Sequence, residues 1–324
     1  MKTSKKVAII VSVVAIIIGL FLCGGAAIAM DFKFSNISTE NYVTNTYIVE
    51  DMFMRVTVEA KEYNVRLHVS EDGQCKVECA ETESVSCSVE VDNDTLSVRI
   101  SNNRKWYEYI GFGFNWAKTK LDIYLPQEKY ASLFIRSRSG NISVPEGLTF
   151  AESDVYSASG EIGFFAVVEN DLCVRTESGD ISVSGINPQN LTVQAVSGDV
   201  AIHAVNLEAD LSVKTVSGSI GVSGMACQNV EAVSTSGDIE FSDLIAEEEI
   251  RTSSVSGDVE LWQCDAGSLD IKTTSGDVSG SLLTQKIFVT DTTSGDVDVP
   301  RSTSGGICQV NTTSGNIEFI MAES

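Results

Sequence analysis

The chain has 324 residues, with 22 lysines and arginines against 45 aspartates and glutamates, and a net charge of −23. That surplus of negative charge opposes binding to nucleic acid or to anionic lipid and favours a well-solvated, cation-rich setting.

The N-terminus opens with Met1-Lys2-Thr3-Ser4-Lys5-Lys6 and continues as an uncharged run from Val7 to Met30. As a helix, those 24 residues would span about 36 Å, enough to cross a bilayer. Lysines before the run and none directly after it place the N-terminus in the cytoplasm. Residues 1–30 are therefore expected to be a transmembrane helix that tethers the chain to the cell membrane in a single pass, with the C-terminal region extracellular. A cleaved signal peptide, giving a secreted protein, is the alternative: Gly24-Gly25 would break the helix, and Ala27-Ile28-Ala29 fits a small-residue cleavage site. Lipidation at Cys23 fits less well, because bulky Leu22 precedes it. All three readings export the remainder.

Residues 31–130 are rich in strand signals without a visible period. Met54–Val58, Val65–Val69, Val85–Val91 and Leu96–Ile100 alternate apolar and polar residues, and Leu121–Pro126 leads into the first repeat. The segment reads as an N-terminal cap with irregular first coils. Cys75, Cys79 and Cys87 flank an expected hairpin around Glu81-Thr82-Glu83, where Cys79–Cys87 or Cys75–Cys87 could pair. Zinc is the weaker alternative, since the only histidines are His68 and His203 and there is no Cys-x-x-Cys. Residues 104–116 concentrate aromatic side chains. Trp106, Tyr107, Tyr109, Phe112, Phe114 and Trp116 form either a hairpin folded over the cap or a contact surface for glycan, peptide or headgroups.

From residue 131 onward a Ser-Gly step recurs ten times, at Gly140, Gly160, Gly179, Gly198, Gly218, Gly237, Gly257, Gly276, Gly295 and Gly315, every 19 or 20 residues. Two positions after each glycine stands Ile or Val without exception; five before it the residue is mostly Val or Ile, and seven before it mostly Leu. Apolar residues two apart with polar neighbours mark half-buried strands. The odd offset between the −5 and +2 columns resets the alternation, which a bend at glycine explains. One repeat cannot bury its own apolar face, but stacked repeats can. The expected fold is all-β: a single-stranded parallel β-solenoid over residues 131–324, rising about 4.8 Å per coil. Parity turns the Ser/Thr column at −3 (Ser137, Thr176, Thr215, Thr273 and their equivalents) inward, against an ice-binding reading. No two of Cys173, Cys227, Cys264 and Cys308 share a column in adjacent coils, so these read as small buried hydrophobes.

The serial Ser-Gly-Asp-Ile/Val turns, together with Leu121–Pro126 and the run Leu133–Val144, resemble the bacterial putative-adhesin family of β-strand-repeat proteins of unknown function. The resemblance spans roughly residues 40–320 and rests on many repeats. It implies the repeat fold, and some relatives look linked to envelope-stress responses. The family offers no catalytic residues to carry over. Asn141, Glu161, Ser219 and Asn316 depart from its usual Asp after the glycine.

The expected function is that of a non-enzymatic cell-envelope protein: an adhesin, scaffold or sensor without a cofactor, whose partners are the membrane and a cell-surface glycan or protein. A glycan-binding or carbohydrate-active solenoid is one alternative, although such enzymes build clefts from long loops and converging acids, and here the spacing varies by one residue. A calcium-stabilised rod is another. Asp238, Asp258, Asp277 and Asp296 fall at one position of four successive repeats, and carboxylates about 4.8 Å apart repel by about 0.9 kcal/mol even in water. Because the chain stops nine residues past Gly315 without a matching cap, self-association through the C-terminal coil near Phe319 is a further expectation.

Overall fold

The computed structural model describes residues 42–102 and 119–322. The run from Val7 to Met30 and the aromatic segment 104–116 lie outside the described residues. Among those described, every regular element is a strand, and no helix is long and apolar enough to cross a membrane.

The repeat builds the parallel solenoid that its columns imply. Asp171–Ser178, Asn190–Ser197 and Asp210–Ser217 stack in parallel with Leu172 over Leu191 over Leu211 and Val174 over Val193 over Val213. Past the glycine corner, Ile181, Val200, Ile220, Ile239 and Val259 form a second continuous row. These side chains are buried almost completely. Each contributes on the order of 1.5–3 kcal/mol relative to an exposed position, and it does so only because the coils above and below cover it.

A third row of inward residues completes each coil. Leu148 and Phe150, Ala166 and Val168, Val205 and Leu207, Met225 and Cys227, and Leu244 and Ala246 are all buried. Met225 pairs with Leu244 and Cys227 with Ala246. A second corner precedes this row, six residues after the glycine. Gly185, Ala204, Gly224, Asp243 and Gln263 occupy it with φ of 70°, 50°, 62°, 51° and 54°. The left-handed conformation costs little for glycine and more for the other three.

Residues 43–125 combine parallel coils that stack out of chain order with antiparallel strands at the sheet edge. Arg55–Ala60 lies between Thr95–Asn102 and Lys129–Ser137, parallel to both. Asn64–Val69 lies between Lys120–Leu125 and Ile142–Val144, again parallel to both. Covering of the sheet edge falls to antiparallel strands. Val85–Asp92 folds onto Thr95–Asn102 across Asn93-Asp94, both at positive φ as a two-residue hairpin turn requires. Cys75–Glu81 pairs antiparallel with Lys120–Leu125 on one side and with Val43–Val49 on the other.

The other end corrects the expected stacking order. Val259–Lys272 pairs with Gly306–Ser314, and only then comes Lys286–Ser294. Likewise Ile317–Met321 lies between Val278–Leu282 and Val297–Asp298. The last coil in sequence is therefore inserted beneath the one before it. Phe319, the expected centre of a sticky end, is 2% exposed and packs against Phe288 with ring centroids 5.4 Å apart. The coil from Lys286 to Asp298 forms the terminal rung among the described residues. Its inward positions carry Phe288, Thr290, Thr292 and Val297, of which Thr290 stands where most other coils carry Val or Ile, and Val297 is left 45% exposed.

Candidate functional site

Stacking fixes the chemistry of the glycine corner. Each corner glycine has φ between 118° and 155°, Gly276 and Gly315 excepted. Short of the terminal rung, each donates its N–H to the Ser carbonyl of the next coil, as Gly198 does to Ser217 at 3.0 Å. Next to it the Asp or Asn side chain accepts the backbone N–H of its counterpart one coil on. Asp180 receives Asp199 N–H at 2.9 Å, Asp199 receives Ser219 at 2.8 Å, Asp238 receives Asp258 at 2.8 Å and Asp258 receives Asp277 at 2.8 Å. The ladder reaches back to Asn64, whose Oδ1 accepts from Asn141 N–H at 2.9 Å.

This accounts for Asp at the turn without a cation: each carboxylate binds an edge N–H of the neighbouring coil. The coil inversion also breaks the expected row of four. Asp238, Asp258 and Asp277 are successive, but Asn316 follows Asp277 (N–H to Oδ1 2.6 Å), and Asp296 follows Asn316 at 2.9 Å. Asn316 between Asp277 and Asp296 doubles their separation and so about halves the repulsion expected of that pair.

The −3 column points inward, as parity requires. Ser157, Thr176, Thr215 and Ser254 are at most 4% exposed. Thr273 Oγ1 donates to the Gly257 carbonyl at 3.3 Å and Thr312 Oγ1 to that of Gly276 at 3.3 Å. The hydroxyls of Ser157, Thr176, Thr215 and Ser254 reach no partner among the described residues.

Outward acids make ladders rather than a cleft. Glu240 lies beside Glu260 in register, and Glu260 accepts the Trp262 indole N–H at 2.9 Å. Arg175 binds Asp154 at 2.7 Å, Lys214 binds Glu231 at 2.9 Å, and Lys272 binds Asp270 at 2.8 Å, all on exposed flanks. One half-open hollow among the described residues is lined by Asp210, Ser212, Asn229, Glu231, Glu249 and Arg251 together with Leu211 and Val230.

A further polar network lies near the antiparallel end. Asp122 accepts both Arg66 Nε and Nη2 at 2.7 Å and meets His68 Nε2 at 2.9 Å. Burial alone would raise its carboxyl, but the hydrogen bonds and charges of Arg66 and His68 outweigh it and hold the group below the usual carboxylate range. On the neighbouring strands, the sulfurs of Cys79 and Cys87 and a carboxylate oxygen of Glu81 all lie within 4.8 Å of one another. Cys75 is buried outside that cluster, so the structure brings together Cys79 and Cys87 and not Cys75 and Cys87. Glu81 was legible only as a hairpin residue. Its place beside two sulfurs follows from the turn at Thr82–Val85, where Thr82 and Val85 exchange backbone hydrogen bonds at 3.0 and 3.3 Å.

Among solved structures, the chain is similar to a putative adhesin from Bacteroides fragilis NCTC 9343, at 17% identity and a TM-score of 0.45, over 87% of this chain and 98% of that one. A putative adhesin from Parabacteroides merdae ATCC 43184 gives 13% and 0.49, with 87% and 98% covered. A putative lipid binding protein from Parabacteroides distasonis ATCC 8503 gives 13% and 0.42 at the same coverage. No curated protein matches the chain. The family model described as Toastrack DUF4097 matches residues 53–242 and 225–324, taking in both the out-of-order first coils and the glycine repeat. The chain thus belongs to the Toastrack DUF4097 family.

Proposed function

We propose that the chain is a non-enzymatic component of the cell envelope, a surface-displayed solenoid that serves as an adhesin or scaffold. In this reading the run from Val7 to Met30 holds it at the membrane and the solenoid stands outside the cell. The observation that carries the proposal is the continuous parallel stacking from Asp171 to Lys272, whose flanks bear paired charges and short polar side chains interspersed with exposed Val196, Val216, Val255 and Trp262. Within that span no coil carries a loop long enough to wall a cleft, and a β-solenoid hydrolase or lyase needs converging acids in such a cleft. Long parallel faces of this kind suit many weak contacts with an extended partner, as in other solenoids. The aromatic residues Trp106, Tyr107, Tyr109, Phe112, Phe114 and Trp116 are the proposed anchors, since ring side chains dominate contact energetics.

The test is to display the detergent-solubilised full chain on arrays of bacterial and host glycans and of extracellular proteins, and to assay the same preparation for polysaccharide turnover. Saturable binding that falls at least tenfold in a Trp106→Ala, Trp116→Ala double variant is expected, with no turnover. Measurable turnover overturns the non-enzymatic reading. Protease accessibility of the solenoid on intact cells tests its placement, and full protection would contradict it.

A further inference from the structure

We propose that Cys79, Glu81 and Cys87 form a structural site for a thiophilic divalent cation, zinc being the closest chemical fit, that clamps the antiparallel strands covering one end of the solenoid. The three ligand atoms lie within 4.8 Å of one another. Two thiolates and a carboxylate around tetrahedral zinc sit about 3.4 to 3.8 Å apart, so modest side-chain rotation closes the site. The residues come from both arms of one corner: Cys79 and Glu81 from Cys75–Glu81, and Cys87 from Val85–Asp92. Cys79 is 0% exposed and Cys87 8%, and their thiols make only long contacts, to the Ala80 carbonyl at 3.9 Å and the Ser88 carbonyl at 4.0 Å.

Glu81 distinguishes a cation site from a simple pair of buried thiols. Its carboxylate is aimed by three donors: Tyr47 Oη to Oε1 at 2.6 Å, Cys87 N–H to Oε1 at 3.1 Å, and Asn45 Nδ2 to Oε2 at 2.8 Å. A carboxylate offers roughly four acceptor positions, so one remains for a metal. Donors that orient a ligating group in this way are a regular companion of metal sites. A disulfide would engage the sulfurs alone and leave Glu81 as a carboxylate held against an uncharged bond.

On binding, each thiol gives its proton to water and its sulfur lone pair to the metal, with no change of oxidation state. Through Tyr47 and Asn45 the site also reaches Val43–Val49, so one ion would couple three capping strands.

The experiment is titration of the reduced full chain with Co²⁺ and then Zn²⁺, read by thiolate-to-cobalt charge-transfer absorption and by proton release. A charge-transfer band that zinc displaces is expected. It should disappear in Cys87→Ser, and affinity should fall about 10–100-fold in Tyr47→Phe, which loses only an orienting donor. Glu81→Gln should weaken binding while leaving the sulfur band. Cys87→Ser is chosen as the principal variant because Cys79 is fully enclosed and its replacement risks the fold. Absence of the band in the reduced wild type, or its persistence in Cys87→Ser, overturns the proposal. So does isolation of the native chain with a Cys79–Cys87 disulfide that forms before any metal binds. None of these outcomes bears on whether the flanks bind glycan or protein.

Discussion

Replacing Gly218 by alanine should break the solenoid at one coil junction. A Cβ at Gly218 would lie 2.0 Å from the Gly198 carbonyl oxygen and 2.6 Å from its carbon, both backbone atoms, and Gly218 has a φ of 141°. Relieving the overlap requires the coils to part by about 1 Å, which takes a backbone hydrogen bond out of range. Those at stake are Gly198 N–H to Ser217 O at 3.0 Å and Val200 N–H to Ser219 O at 2.9 Å. Losing two such bonds costs about 1 kcal/mol each or more if their groups stay buried, and forcing alanine into that backbone region adds about 1–3 kcal/mol. The expected loss is about 3–5 kcal/mol.

Coils touch only their neighbours, so the damage should be local. Hydrogen exchange at Gly198 and Val200 should accelerate by about two to four orders of magnitude, while amides near Val98 stay protected. Gly221→Ala is the internal control, because its Cβ would meet nothing closer than the Val200 carbonyl at 3.9 Å. That variant should be neutral or more stable by up to about 1 kcal/mol. Equal urea midpoints and equal exchange for Gly218→Ala and Gly221→Ala would refute the reasoning.

Thr215→Val should raise stability by about 1 kcal/mol, since the Thr215 hydroxyl is buried without a partner, whereas Thr273→Val, which loses a bond to Gly257, should not; urea midpoints of the two variants decide this. Ala204→Gly should stabilise by about 1 kcal/mol, because Ala204 holds φ 50° at the second corner; an unchanged midpoint would show that the corner is unstrained. Asp122 has a lowered folded pKa, so its contribution is present above the unfolded value near about 3.9 and is lost as pH falls through the lower folded value. Thermal midpoints should therefore drop more steeply below about pH 4 for the wild type than for Asp122→Asn, and parallel curves would contradict the assigned role of Arg66 and His68.

The sequence by itself determined what repeats: the period, the glycine corner, the inward Leu, Val and Thr columns and the outward charges. All of these are set within one coil by side-chain alternation and by the backbone freedom of glycine. Its reach was shorter at the second corner, where Ala204, Asp243 and Gln263 take a conformation that their residue types do not announce. Which coil lies on which is settled by long-range pairing. Arg55–Val69 slots between later segments, and Gly306–Met321 slides beneath Lys286–Asp298. The same holds for the meeting of Glu81 with Cys79 and Cys87, and for Asn316 separating Asp277 from Asp296. The physical reason is that near-identical coils present nearly interchangeable edges to one another. At the end of the stack the covered coil places Val310 and Phe319 where the terminal rung has Thr290 and Val299, so covering the last coil in sequence buries more apolar surface at those two positions.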